Sequence, residues 1–288
     1  APFAIMLTAM MPSDGNEIAR YRAASAAVSP VAPIRAMISC RNTMISPATA
    51  NCQRPAITAA LVACFRAVSR SPAPMLREIK AVKKDYPDRA MVVSLMVPCE
   101  EDAWKAILPV VEETGADGIE LNFGCPHGMA ERGMGSAVGQ VPEYIEMVTR
   151  WCKQYYDKPV IVKLTPNITD VRKPAAAAMR GGADAVSLIN TINSITSVNL
   201  DNMSPEPSID GKGSHGGYCG PAVKPIAMSM VSEIARNDET RGLPISGIGG
   251  VTTWRDAAEF MALGCGNVQV CTAAMTYGFK IVQEMISG

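Results

Sequence analysis

The chain has 288 residues, and its 27 basic and 27 acidic side chains cancel to a net charge of zero. With 48% apolar and 19% charged residues it can bury a sizeable core, which excludes a disordered polyelectrolyte. The charge balance also excludes a strongly basic nucleic-acid footprint, and the longest apolar stretch, AITAALVACF at 56–65, is too short to cross a bilayer.

No basic segment, apolar core and cleavage site open the sequence, so we expect no signal peptide and a cytoplasmic location. The nine cysteines include no C-x-x-C pair, and the odd count fits reduced thiols better than a disulfide framework. Only two histidines occur, His127 and His215, neither with a partner at ligand spacing, so no metal site is expected.

Residues 1–75 stand apart. They hold 18 Ala, 8 Pro and 7 Arg against two acids, one Gly and no Lys, for a net charge of +5. The other 213 residues carry −5 and 22 of the 23 glycines. Prolines 12, 30, 33, 47 and 55 break this first segment, and the pattern predicts helices only over Glu17–Ala27 and Ile57–Ser69.

From Leu76 onward strands and helices alternate. A helix over Leu76–Asp85 precedes a buried strand over Ala90–Val97. A helix over Glu101–Glu113 precedes a strand over Gly118–Phe123, and a helix over Val141–Tyr156 precedes Val160–Leu164. Thr169–Arg180 is helical, closed by Gly181-Gly182, and Ala185–Asn190 is a strand. After a long Gly-rich loop come a helix over Pro221–Asn237, a strand over Pro244–Ile248 and a helix over Thr253–Leu263. A strand over Asn267–Thr272 and a helix over Thr276–Ile286 end the pattern.

Strands apolar on both faces, alternating strictly with helices, predict a parallel sheet wrapped by helices. Polar residues end nearly every strand, as at the catalytic rim of a (β/α)₈ TIM barrel, whereas a doubly wound sheet would collect its ligand groups at one switch point. Six β/α units are visible within 76–288, so two barrel strands must come from the atypical segment 1–75.

Several motifs carry chemistry. In ELNFGCPHGMAERGMGSAVG, at 120–139, a strand ends in Asn122 and runs into a Gly-rich loop with Cys125. This loop reads as a lid whose thiol gives or takes a proton, or as a tight Cys-Pro turn with a buried, inert cysteine. Lys163 in VIVKLTPN faces a bound anion or an electron-rich ring, or pairs with a carboxylate such as Glu120. Asn190-Thr191 offers amide groups to the edge of a planar heterocycle, or caps a turn. Gly249 and Gly250, with Thr272, sit in the last two units, where barrels hold phosphate. The loop Gly211–Val223 either approaches a cofactor or is a flexible lid.

Together NFGCPHGMAERGMG, KLTPN, INT, GGYCGPAVKPIA, GIGG and VQVCTA resemble the FMN-binding barrel of dihydropyrimidine dehydrogenases over Leu76 to Gly288. The resemblance implies an oxidoreductase that reduces the 5,6 double bond of uracil or thymine. Cys125 matches the loop cysteine that protonates C5 while the flavin delivers hydride to C6. Asn122, Asn190 and Thr191 match groups that hold the pyrimidine, and Lys163 matches the lysine beside the flavin ring. Gly217, Gly249, Gly250, Cys271 and Thr272 match the flavin phosphate and ribityl region. NAD would serve as ultimate donor or acceptor through a partner subunit carrying FAD and iron–sulfur clusters; a homo-oligomer is open as well.

Residues 1–75 do not resemble the family. They lack its S-A-x-P turn, its K-T lysine and its N-I-E segment. Their composition resembles translation in a shifted frame restored near Leu76, a hypothesis that a clean open frame in the coding DNA would sink. A dihydroorotate dehydrogenase-like flavoenzyme and a non-catalytic, incomplete barrel are the competing readings.

Overall fold

The computed structural model describes residues 4–9, 58–66, 73–126, 133–209, 212–213 and 216–288. Eight parallel strands close into a barrel in sequential order. They are β1 (Ala4–Ala9), β2 (Thr58–Arg66), β3 (Met91–Met96), β4 (Gly118–Asn122), β5 (Val160–Lys163), β6 (Ala185–Leu188), β7 (Ile245–Ile248) and β8 (Asn267–Val270). The ring shuts where β1 pairs on one side with β2, Ile5 opposite Ala59, and on the other with β8, Ile5 opposite Val268.

Around the barrel lie α1 (Ala73–Asp85), α2 (Glu101–Glu112), α3 (Pro142–Tyr155), α4 (Arg172–Arg180), α5 (Lys224–Ala235), α6 (Trp254–Ala262), α7 (Thr272–Tyr277) and α8 (Lys280–Ser287). Every residue of β3 to β7 is buried, because one face lies under helices and the other inside the barrel. The helices present apolar stripes to the sheet, such as Trp104, Leu108 and Val111 of α2. Pro142 opens α3 in its first turn, where a missing N–H costs nothing.

Packing also anchors the site-bearing segment after β4. The Phe123 ring meets Trp104 edge to face, with centroids 6.5 Å apart and planes at 81°. The Phe123 amide donates to the Lys163 carbonyl at 3.1 Å. A Cβ on Gly139 would fall 1.8 Å from the Phe123 carbonyl oxygen, so only glycine lets the turn Ser136–Gly139 lie against this strand end.

Four local expectations need correction. Within the helix expected over Ile57–Ser69, the described residues Thr58–Arg66 form strand β2 instead: the alanines favour a helix in isolation, but parallel pairing with β1 and β3 decides. The final strand stops at Val270, so Cys271 and Thr272 are not part of it; Thr272 opens α7. The last helix is broken at Gly278, whose φ of +77° suits glycine alone. The long Gly-rich loop carries short antiparallel pairs, Ile192–Ser194 with Gly216–Tyr218 and Ser197–Asn199 with Ser204–Glu206. The helix expected over Glu17–Ala27 lies outside the described residues, as do His127 and His215.

Candidate active site

Parallel strands put all their C-terminal ends on one rim, and the polar strand ends gather there. Inside the barrel a buried polar web crosses the interior. Its centre is Glu120 of β4, fully buried, whose carboxylate accepts from Ser94 Oγ of β3 at 3.1 Å and Ser187 Oγ of β6 at 2.8 Å. It also accepts from Gln269 Nε2 of β8 at 3.2 Å. β4, β6 and β8 are not neighbours, so these side chains can meet only across the interior. Gln269 Nε2 donates further to Ser246 Oγ of β7 at 3.0 Å.

Lys163, the last residue of β5, sits over this web with its Nζ 3.4 Å from Glu120 Oε1. The carboxylate below balances the cation, which is the condition for burying a lysine. Its charge also reaches Cys271. Burial pushes that thiol up from its ordinary value, Lys163 pulls it back down, and Cys219 adds to the rise.

The second cluster is built from asparagines. Asn122 Oδ1 accepts from the amides of Gly124 at 3.3 Å and Cys125 at 3.2 Å, and from Asn190 Nδ2 at 2.8 Å. One carboxamide therefore joins the Cys125 loop to the segment that leaves β6. Asn190 Oδ1 accepts in turn from the Thr191 amide at 2.8 Å. Cys125 is buried against Met96 and Met134, and its carbonyl accepts from the Ser136 amide at 3.1 Å. Among the described residues the buried Thr191 Oγ1 has no hydrogen-bond partner.

The third cluster is a glycine cradle. A Cβ on Gly250, at φ +69°, would fall 2.8 Å from the Gly220 carbonyl oxygen and 2.9 Å from Lys224 Cβ. On Gly249 it would fall 2.7 Å from Ala227 Cβ, and on Gly220 it would lie 3.6 Å from Thr272 Cγ2. Backbone after β7 thus comes up against the start of α5, with Thr272 beside Gly220. Gly217 lies in the adjoining hairpin, paired with Asn193. The first turn of α6 is already filled by its own carboxylate: Asp256 Oδ2 accepts from the amides of Thr252 and Thr253 at 2.9 and 2.8 Å.

The structure therefore brings Asn122, Cys125, Asn190 and Thr191 together, and Gly249 and Gly250 with Thr272. Sequence reasoning missed Gly220, the serines and Gln269 beneath Lys163, and Asn167. Asn167 bonds Thr165 Oγ1, the Thr191 carbonyl and the Asn193 amide. Its signal was a polar residue just past a strand end, in KLTPN. Among the described residues no group of His, Cys, Asp or Glu could hold a metal ion, and no helix is long and apolar enough to cross a membrane.

Over 213 residues the chain is 46% identical to the NAD-dependent dihydropyrimidine dehydrogenase subunit PreA of Escherichia coli, covering 74% of this chain and 51% of that one. It is 42% identical over 214 residues to the chloroplastic dihydropyrimidine dehydrogenase (NADP(+)) of Arabidopsis thaliana, covering 73% and 50%. It is also 40% identical over 213 residues to the catalytic subunit of dihydroorotate dehydrogenase B (NAD(+)) of Pyrococcus horikoshii, covering 74% and 65%. The chain thus spans about half the length of the two dihydropyrimidine dehydrogenase relatives. Among solved structures, a ligand-free type DHODH from Eimeria tenella shares the fold, with a TM-score of 0.57 at 18% identity over 74% of this chain and 64% of that one. The family model described as dihydroorotate dehydrogenase matches residues 72–288, and the chain belongs to that family.

Proposed function

We propose that this chain is the FMN-binding barrel of a dihydropyrimidine dehydrogenase, acting on the 5,6 double bond of uracil or thymine. The observation that carries the reading is the Asn122 carboxamide, which ties the amide of Cys125 to the side chain of Asn190. A proton donor and a pyrimidine-reading amide are thereby held in one rigid unit. Uracil presents alternating carbonyl and N–H groups, which Asn190 and the Thr191 hydroxyl, without a partner among the described residues, can match.

The residues present fit the cofactor. Gly249 and Gly250 leave no space for a Cβ against the start of α5, and their backbone, with Thr272 beside Gly220, would hold the flavin phosphate. Cys271, next to Thr272, and Gly217, paired with Asn193, would hold the ribityl chain. Lys163, balanced from below by Glu120, would supply positive charge to stabilise a reduced, anionic flavin ring. A bound FMN would supply hydride chemistry for C6, with NAD as ultimate donor or acceptor through a partner subunit carrying FAD and iron–sulfur clusters. Cys125 holds at Sγ the proton that C5 receives, and its packing against Met96 and Met134 keeps water from competing. Such a chain works in the cytoplasm, alone or as a homo-oligomer beside its partner subunit.

The test uses the purified chain loaded with FMN. A stoichiometric flavin absorbance band is expected, and uracil added without oxygen should reoxidise the chemically reduced protein. Cys125→Ala should keep the band and slow that reoxidation by roughly 10²–10⁴-fold, the range for a lost general acid. Equal rates would remove the acid role, absence of the band would remove the cofactor, and a response to orotate in place of uracil would reassign the substrate.

A further inference from the structure

We infer that Asn167 is a positioning residue that sets the pyrimidine-contacting segment Asn190–Thr191, an inference that rests on the reading above. Asn167 follows β5 by a short step, past the buried Thr165. Its Nδ2 donates to Thr165 Oγ1 at 3.2 Å and to the Thr191 carbonyl at 3.1 Å, while its Oδ1 accepts from the Asn193 amide at 2.8 Å. The buried threonine is the fixed end of this clamp, and the segment after β6 is the held end.

Thr191 depends on the clamp because it lies between β6 and the strand Ile192–Ser194, in neither of them. Its amide donates to Asn190 Oδ1 at 2.8 Å and its carbonyl accepts from Asn167 Nδ2. Both of its backbone polar groups are therefore bound by asparagine side chains. Among the described residues its buried hydroxyl has no partner, which leaves it available to a bound molecule. From the Thr191 amide the contacts run through Asn190 to Asn122 and on to Cys125. Asn167 thus fixes the far end of a chain of amides whose near end carries the proton donor. It needs no contact with the pyrimidine to decide how well the pyrimidine is held.

The experiment compares FMN-loaded wild type, Asn167→Ala, Thr191→Val and the double variant. Asn167→Ala should raise the uracil KM roughly tenfold, the worth of one or two hydrogen bonds, with kcat within about twofold and FMN content unchanged. Thr191→Val should raise KM as well without lowering Tm, because the hydroxyl it removes bonds nothing among the described residues. Adding Asn167→Ala to Thr191→Val should then cost little more, since the first residue acts through the second. In flavin-free protein, amide exchange over 190–194 should speed up in Asn167→Ala. An unchanged KM, additive effects in the double variant, or unchanged exchange would each overturn the inference. Faster exchange together with a wild type that carries FMN but ignores uracil would instead sink the pyrimidine reading, and the positioning role with it.

Discussion

The Lys163 ammonium lies 3.4 Å from the Glu120 carboxylate, and neither side chain is open to bulk solvent. Glu120 is fully buried and also serves Ser94, Ser187 and Gln269. Removing it leaves a buried cation without its balancing charge and three donors without their acceptor. Glu120→Ala should therefore cost about 3–5 kcal/mol of stability, the usual range for breaking one side of a buried pair. Urea unfolding of the two proteins measures this. A loss below about 1 kcal/mol would mean that water replaces the carboxylate and that the web does not hold the barrel interior together.

That pair was legible in the sequence because each of two apolar strands, VIVKL and GIELN, carries a single charge, and burial leaves one charge little choice but the other. The alternation from Leu76 onward was legible for the same reason: strands buried on both faces leave uninterrupted apolar runs. β2 was not legible, since an Ala-rich run such as TAALVACFR has helical propensity and becomes a strand only through neighbours distant in sequence. Asn167 was hidden differently. Its function lies in contacts with Thr191 and Asn193, some two dozen residues away, which no local pattern encodes. The glycines at 249 and 250 were visible as a turn, but the need for Gly220 beside them appears only when α5 packs against that turn.

Gly124 offers a sharper test of the asparagine cluster than replacing the asparagines themselves. A Cβ there would fall 2.4 Å from Asn190 Cβ and 2.7 Å from its Nδ2, so something must shift. The group displaced is the amide that donates to Asn122 at 2.8 Å. Gly124→Ala should thus separate the Cys125 loop from the Asn190 segment while leaving the glycine cradle untouched. We expect FMN to remain bound, uracil turnover to fall by at least tenfold, and stability to drop by about 1–3 kcal/mol, the range for an overpacked site. Flavin absorbance, steady-state rates and Tm on one preparation separate the three effects. Unimpaired turnover would show that the link between Asn122 and Asn190 is dispensable.

A last prediction concerns the wall of the cradle. Lys224, at the start of α5, bonds the carboxylates of Asp256 and Glu259 on α6 and so ties together the two helices that flank Gly250. Asp256 also closes a capping box with Thr253. Burial opposes the charge on Asp256, but Lys224 and the donors of Thr252 and Thr253 outweigh it and hold the carboxyl well below its ordinary value. The Lys224 ammonium is correspondingly raised, first by Asp256 and then by Glu259. A depressed carboxyl stabilises the fold above its unfolded pKa, near 3.9, and that contribution fades as pH falls from there through the folded value. The raised lysine contributes below its unfolded pKa, near 10.4, and loses its contribution as pH climbs through the folded value. Asp256→Asn retains an oxygen for the cap, removes the charge and turns the oxygen that accepts from Lys224 into an amide donor. Its Tm should lie below wild type at neutral pH, and the gap should close as pH falls well below about 4. A gap that stays constant into acid would place the effect in packing and not in the ion pair.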